Sequence, residues 1–162
     1  MLKQAQLRYE GVLKDKGAEK ACLEMAEEYE GIFKKYSSRE GGKIARVVYA
    51  NICYEGKKYD RAIELYKESL KAFKHNTFFK NQVLSSIGHS YEKKKDYVNA
   101  LKHFEMIVTG SDTVMLDKAL YNIGLIYDAN GEKDKSKDAF KQIIKEKDSS
   151  MHIEIVKENV GT

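Results

Sequence analysis

The sequence predicts an all-α fold, built as an array of helix-turn-helix repeats. Three observations predict it. First, the chain copies itself. Leu84-x-x-Ile87-Gly88-x-x-Tyr91 is followed nine residues after its tyrosine by Ala100-x-x-x-Phe104, and Leu120-x-x-Ile123-Gly124-x-x-Tyr127 is followed at the same distance by Ser136-x-x-x-Phe140. A looser copy runs Arg46-x-x-Tyr49-Ala50-x-x-Cys53, then Ala62-x-x-x-Tyr66. The period, 36 residues from Gly88 to Gly124 and 38 from Ala50 to Gly88, is the length of one helix-turn-helix unit. Second, apolar residues recur at spacings of three and four between these landmarks. Third, there is no proline among 162 residues, so no residue lacks the N–H that a continuing helix needs.

Each element follows in order. Leu2, Ala5, Tyr9, Val12 and Leu13 share one face of a first helix from Leu2 to about Leu13, and Gly17 punctuates it. Ala21, Cys22, Met25, Ala26, Tyr29, Ile32, Phe33 and Tyr36 predict one longer second helix, so 1–36 reads as a degenerate helical pair. Ser37-x-x-Glu40 has the spacing of a capping box, and Gly41-Gly42 predicts a flexible break before a helix starting near Lys43. Residues 43–76 then form the first repeat, with a helix to about Tyr54 and a second carrying Tyr59, Ala62, Ile63, Tyr66, Leu70 and Phe73. A long connection through His75-Asn76 is expected to account for the 38-residue period. The second repeat, 81–112, has helices from about Phe78 to Glu92 and Tyr97 to Val108, and Thr109-Gly110-Ser111-Asp112 reads as a stop and a new N-cap. The third, 117–148, has a helix from about Thr113 to Ala129, a turn at Asn130-Gly131 and a helix to about Lys145. Residues 149–160 predict a capping helix over the last pair, which has no further neighbour to bury its apolar face. The whole, 1–162, reads as one domain.

The repeated residues have a physical sense. Ala50, Gly88 and Gly124 are small where two helices cross, as are Ala62 and Ala100. Tyr91 and Tyr127 fill the end of the first helix of each unit. Phe104, Phe140 and Tyr66 are expected to wedge between successive units and hold a constant angle, which builds a superhelix with a concave face.

These residues resemble the tetratricopeptide repeat, W-x2-L-G-x2-Y then A-x3-F then P. Leu84 and Leu120 stand for its Trp, Ile87 and Ile123 for its Leu, Asp112 and Asp148 for its Pro, and Ser136 for one Ala. The resemblance covers 43–148. It implies a right-handed α-α superhelix of tetratricopeptide repeats with a C-terminal capping helix, and a non-catalytic scaffold that binds a protein or peptide. The run Ala45 to Leu65 and the tail after Ile144 also look like bacterial membrane-anchored proteins with such repeats, related to ancillary subunits of the Sec translocon. That resemblance implies an envelope assembly and a periplasmic location if this chain is the soluble part of an anchored protein, and a cytoplasmic one otherwise. Compartment and oligomeric state are left open.

Composition excludes several alternatives. No apolar run reaches the roughly 18–20 residues that span a bilayer, and Met1-Leu2-Lys3-Gln4 enters an amphipathic segment with no leader pattern. Net charge is only +4, from 29 basic and 25 acidic residues. Turn lysines (Lys57-Lys58, Lys93-Lys94-Lys95, Lys133, Lys135) are the basis of an alternative, a nucleic-acid-associated repeat protein. That reading needs free aromatic platforms, and the tyrosines are committed to packing positions, so no nucleic-acid partner is expected. Cys22 and Cys53 both occupy apolar helical positions and read as small buried hydrophobes; a disulfide between them is left open. His75, His89, His103 and His152 show no metal-ligand spacing, and Gly41-Gly42-Lys43-Ile44 lacks the upstream glycine and the hydroxyl of a phosphate loop. No catalytic residue, metal or cofactor is expected.

Helical phase puts the inner faces of the first helices on the concave side. The candidate peptide-binding residues are Val47, Asn51 and Tyr54, then Ser85 and His89, then Lys118, Tyr121, Asn122 and Leu125. Gln82 and Ser86 share that face but read as solvated or locally capped. Amides and hydroxyls there suit a peptide backbone, and tyrosines suit its side chains. A clamp for an acidic chaperone tail is not expected, because Val47, Ser86 and Asn122 stand where the resemblance requires lysine, asparagine and arginine.

Overall fold

The computed structural model describes residues 1–36, 39–73, 75–110, 115–146 and 156. Among these it is helical throughout: α1 (Leu2–Lys16), α2 (Ala18–Glu24), α3 (Ala26–Lys35), α4 (Glu40–Glu55), α5 (Tyr59–Ala72), α6 (Thr77–Lys93), α7 (Tyr97–Val108), α8 (Leu116–Ala129) and α9 (Lys133–Glu146). The pairs α4–α5, α6–α7 and α8–α9 are the three copies, and each pair packs on the next in chain order. The all-α repeat architecture expected from the sequence is the one observed. The core is continuous. Leu70 and Tyr91 join the apolar cluster of α1–α6 to that of α6–α9, and Val108 joins the latter to the cluster of Leu120, Phe140, Ile143 and Val156.

Within the second and third copies the crossing is set by one ring on one glycine. A Cβ at Gly88 would lie 2.7 Å from Phe104 Cζ, and a Cβ at Gly124 would collide with the Cε1 edge of the Phe140 ring. The phenylalanines were expected between units. They lie over the glycine of their own pair, because only a residue without Cβ leaves room for the ring there. Phe104 still shares its cluster with Ala119 and Ile123 of α8.

The three turns inside the copies are the same turn. The N–H groups of Lys58, Asp96 and Glu132 reach the carbonyls of Cys53, Tyr91 and Tyr127 at 2.8, 2.9 and 2.9 Å. The residue before each, Lys57, Lys95 or Gly131, is left-handed, with φ of 59, 60 and 80°. This is the Schellman ending of a helix, which satisfies its last carbonyls.

Three expectations are corrected. Residues 1–36 hold three helices, because the predicted second helix bends at Met25, whose N–H reaches both Ala21 and Leu23 carbonyls. The bend lets α2 and α3 each lie along α4. Gly41-Gly42 is no break: both residues belong to α4, and Gly42 lies so close to the Tyr36 carbonyl that a Cβ would collide with it. The long period of the first copy does not come from a long connection. α5 ends at Ala72 and α6 starts at Thr77, with Asn76 capping α6 by accepting from Phe79 N at 3.1 Å; the extra length lies in α5, at 14 residues against 12 in α7. The helix expected from about Thr113 is described from Leu116, and Thr113 itself lies outside the described residues. The predicted caps at Ser37, Asp112 and Asp148 and most of the predicted capping helix lie outside the described residues; Val156, within that stretch, is helical and fully buried.

Candidate functional site: the cleft between α4 and α6

α4 presents Ile44, Val47, Val48 and Asn51, spaced three, one and three. α6 answers with Phe79, Gln82, Val83 and Ser86 at the same spacing, and Phe73 closes the floor of a cavity of about 160 Å³. Beside it, Asn51, Tyr54, Glu55, Tyr66, Ser86 and His89 surround a second hollow of about 300 Å³. Asn51 and Ser86 belong to both. The two hollows therefore form one cleft with an apolar half and a polar half.

The apolar half is open at its rim, where Ile44 is 40% and Phe79 45% exposed. Phe79 is held by stacking on Phe73 at 5.3 Å and by the edge of Phe78 at 5.6 Å. In the polar half the Tyr66 hydroxyl donates to Asn51 Oδ1 at 2.5 Å, which fixes the amide and leaves its NH₂ directed elsewhere. His89 Nδ1 lies 3.1 Å from Glu92 Oε2, and its ring meets Phe104 edge-on at 5.2 Å. That histidine holds the Glu92 carboxyl below the usual carboxylate range. The Tyr9 hydroxyl donates to Glu55 Oε2 at 2.5 Å, tying α1 to the cleft wall. Burial raises the Tyr54 and Tyr66 phenols, so both stay neutral donors at any physiological pH.

Of the residues chosen from the sequence, Val47, Asn51, Tyr54 and His89 meet in this cleft. Ser85 does not. It is 5% exposed, one position round the helix from Ser86, which lines both hollows with Gln82 beside it in the first. The phase was right to within one residue, but 100° of rotation separates the buried side of α6 from its open side. Lys118, Tyr121, Asn122 and Leu125 lie on α8, outside the cleft. Tyr121 tilts against Phe140 at 5.9 Å, Leu125 is 44% exposed, and Asn122 Nδ2 is buried with no hydrogen-bond acceptor among the described residues. Ile44, Val48, Glu55, Tyr66, Phe79 and Val83 were missed. The matching three-one-three spacing on α4 and α6 is the signal that could have found four of them.

Other features are less suited to a ligand. A hollow beside α3 is lined by Arg46, Arg61, Glu30 and Glu68, whose charges are already joined: Arg61 to Glu30 at 2.8 Å and Arg46 to Glu68 at 3.2 Å. The turn lysines are largely engaged too. Lys58 pairs with Glu19 at 2.6 Å, Lys94 with Asp60, Lys133 with Asp128 at 2.6 Å and Lys135 with Glu132 at 2.6 Å. Among the described residues no three His, Cys, Asp or Glu side chains are grouped to hold a metal, and no helix is long and apolar enough to cross a membrane.

Helical pairs stacked in order, with an open cleft between the first helices of two neighbours, define an α-helical repeat scaffold. Residues 118–149 match the family model described as tetratricopeptide repeat, which is the third copy almost end to end. The match supports reading the chain as a protein of such repeats, whose usual role is protein–protein interaction. No curated protein matches the chain.

Proposed function

We propose that this protein is a non-catalytic scaffold that holds a segment of another protein in the cleft between α4 and α6. The continuity of the apolar and polar halves through Asn51 and Ser86 carries this reading. A peptide laid along it buries apolar side chains against Ile44, Val48 and Phe79. Its backbone carbonyls meet the Asn51 amide, which Tyr66 holds in orientation, and its side chains meet Tyr54 and His89. The groups are those of peptide recognition: a fixed amide, neutral hydroxyls and an apolar wall. The placement in a bacterial envelope assembly rests on the Ala45–Leu65 run and the tail after Ile144, and is tested by fractionating cells that produce the tagged chain.

The experiment is selection of binders from a peptide library, followed by calorimetry on variants. Tyr54→Ala is expected to weaken the selected peptides by about 2 kcal/mol, roughly thirtyfold, as truncation of an interface anchor does. Val98→Ser, at a 79% exposed position on α7, is expected to leave affinity unchanged. Should Asn122→Ala on α8 abolish binding while Tyr54→Ala does not, the groove lies one repeat further along and the reading is wrong.

A further inference from the structure

Cys22 and Cys53 come from different helices, 31 residues apart, and their sulfurs are 2.9 Å from one another. Both are thiols and both are buried, at 2% and 0% exposure. The approach of α2 to α4 there is closer than apolar packing requires. Gly56, at the end of α4, leaves room for it: a Cβ on Gly56 would lie 2.9 Å from Cys22 Cβ and 2.8 Å from the Ala18 carbonyl. Tyr49 of α4 adds a hydrogen bond from its hydroxyl to the Cys22 carbonyl at 3.1 Å, and its ring stacks on Tyr29 at 5.4 Å. The backbones on both sides of the sulfur pair are thus tied together without the sulfurs. Two small hydrophobes would fill the same space without bringing two nucleophiles into contact.

We propose that Cys22 and Cys53 are a modification site, a dithiol that closes to an intramolecular disulfide and staples the N-terminal helices to the first repeat. The oxidant is a disulfide of the glutathione class. A Cys22 thiolate attacks one sulfur of the oxidant, forming a mixed disulfide and releasing one thiolate. The Cys53 thiolate then attacks Cys22 Sγ and releases the second thiol. Two protein thiols become one disulfide, and one oxidant disulfide becomes two thiols. Across the 2.9 Å contact each thiol can donate to the thiolate of the other, which eases the first ionisation, and Cys22, on the helix that opens, attacks first. Exchange runs through local opening of α2 from α4, since neither sulfur reaches the surface. The wall that closes is the one that carries Asn51 and Tyr54, two residues before and one after Cys53, on the other side of α4.

Peptide mapping of the native chain tests this. The protein is equilibrated with oxidised glutathione, quenched in acid, alkylated with iodoacetamide and digested with trypsin. The expected product is monomeric, lighter than the reduced chain by two hydrogens, with residues 21–34 linked to residues 47–57, and dithiothreitol reverses it. The bridge closes a 31-residue separation, and the oxidised chain is expected to melt roughly 5–10 °C above the reduced one. Cys22→Ala and Cys53→Ala, each checked for native circular dichroism, are expected to lose both the linked peptides and the melting shift. Full alkylation of both cysteines in the oxidant-treated native chain would overturn the proposal. So would a bridged form that is exclusively intermolecular, or one that melts no higher than the reduced chain.

Discussion

The first copy, α4–α5, and the two that follow it solve the same crossing differently. In α6–α7 and α8–α9 a glycine admits a phenylalanine ring directly onto the backbone of the partner helix. In α4–α5 the equivalent position belongs to Ala50, and the equivalent aromatic is Tyr66. Tyr66 is as buried as the phenylalanines, at 2%, but its hydroxyl extends to Asn51 and into the cleft. In the glycine copies the joint itself is apolar. The alanine copy makes a joint that also delivers a polar group to the surface where a ligand can lie. One methyl group and one hydroxyl separate an apolar joint from one that reaches into the cleft between α4 and α6.

The largest effect expected from this comparison is at Gly124. In a helix interior, Gly to Ala is normally favourable by about 1 kcal/mol. Gly124→Ala is expected to reverse that sign and destabilise by about 2 kcal/mol, because the new methyl meets the Phe140 ring. Gly11→Ala, which meets nothing within 4 Å on α1, is expected to stabilise by about 0.5–1 kcal/mol. Urea midpoints compare the two, and a Gly124→Ala variant as stable as the native chain would show that the ring does not define the crossing. Gly88→Ala is expected to follow Gly124→Ala in direction.

A smaller effect sharpens the contrast. Tyr66→Phe turns the first copy into a purely apolar joint. It is expected to cost about 1 kcal/mol of stability, the net worth of one hydrogen bond, and to weaken selected peptides, since Asn51 loses its orientation. Calorimetry that found affinity unchanged would detach Asn51 from the cleft's function.

The smallest effect concerns the turns. Lys57 and Lys95 occupy the left-handed position that Gly131 fills in the third copy. Lys95→Gly is expected to stabilise by about 0.5–1 kcal/mol by relieving the steric penalty of a side chain there, and Gly131→Lys to lose a similar amount. Thermal melts of the two variants check both signs.

Much of this was legible in the residues. Local pattern sufficed for α5, α6, α7 and α9, because an apolar period of 3.6 has one solution once proline is absent. The repeat motif located the crossings at Gly88 and Gly124. It also put Val47, Asn51, Tyr54 and His89 on the open side. What escaped was whatever depends on a partner element. Gly41-Gly42 reads as a break in isolation and becomes a helix start only because Tyr36 packs against it. Ser85 and Ser86 are indistinguishable as letters, and the neighbouring helices alone decide which is covered. Lys57 and Lys95 carry no sign of positive φ, since the Schellman hydrogen bonds impose it.

The sequence by itself determined the class of fold, the order of the helices and the small-residue crossings, because periodicity and side-chain size act over a few residues. Tertiary structure decided where the cleft lies, that Tyr66 serves it, and that Cys22 and Cys53 meet. These depend on distances between helices far apart in the chain, and those distances are set by how each pair leans on the next. A ring seated on a glycine fixes that lean, and no local pattern records the angle.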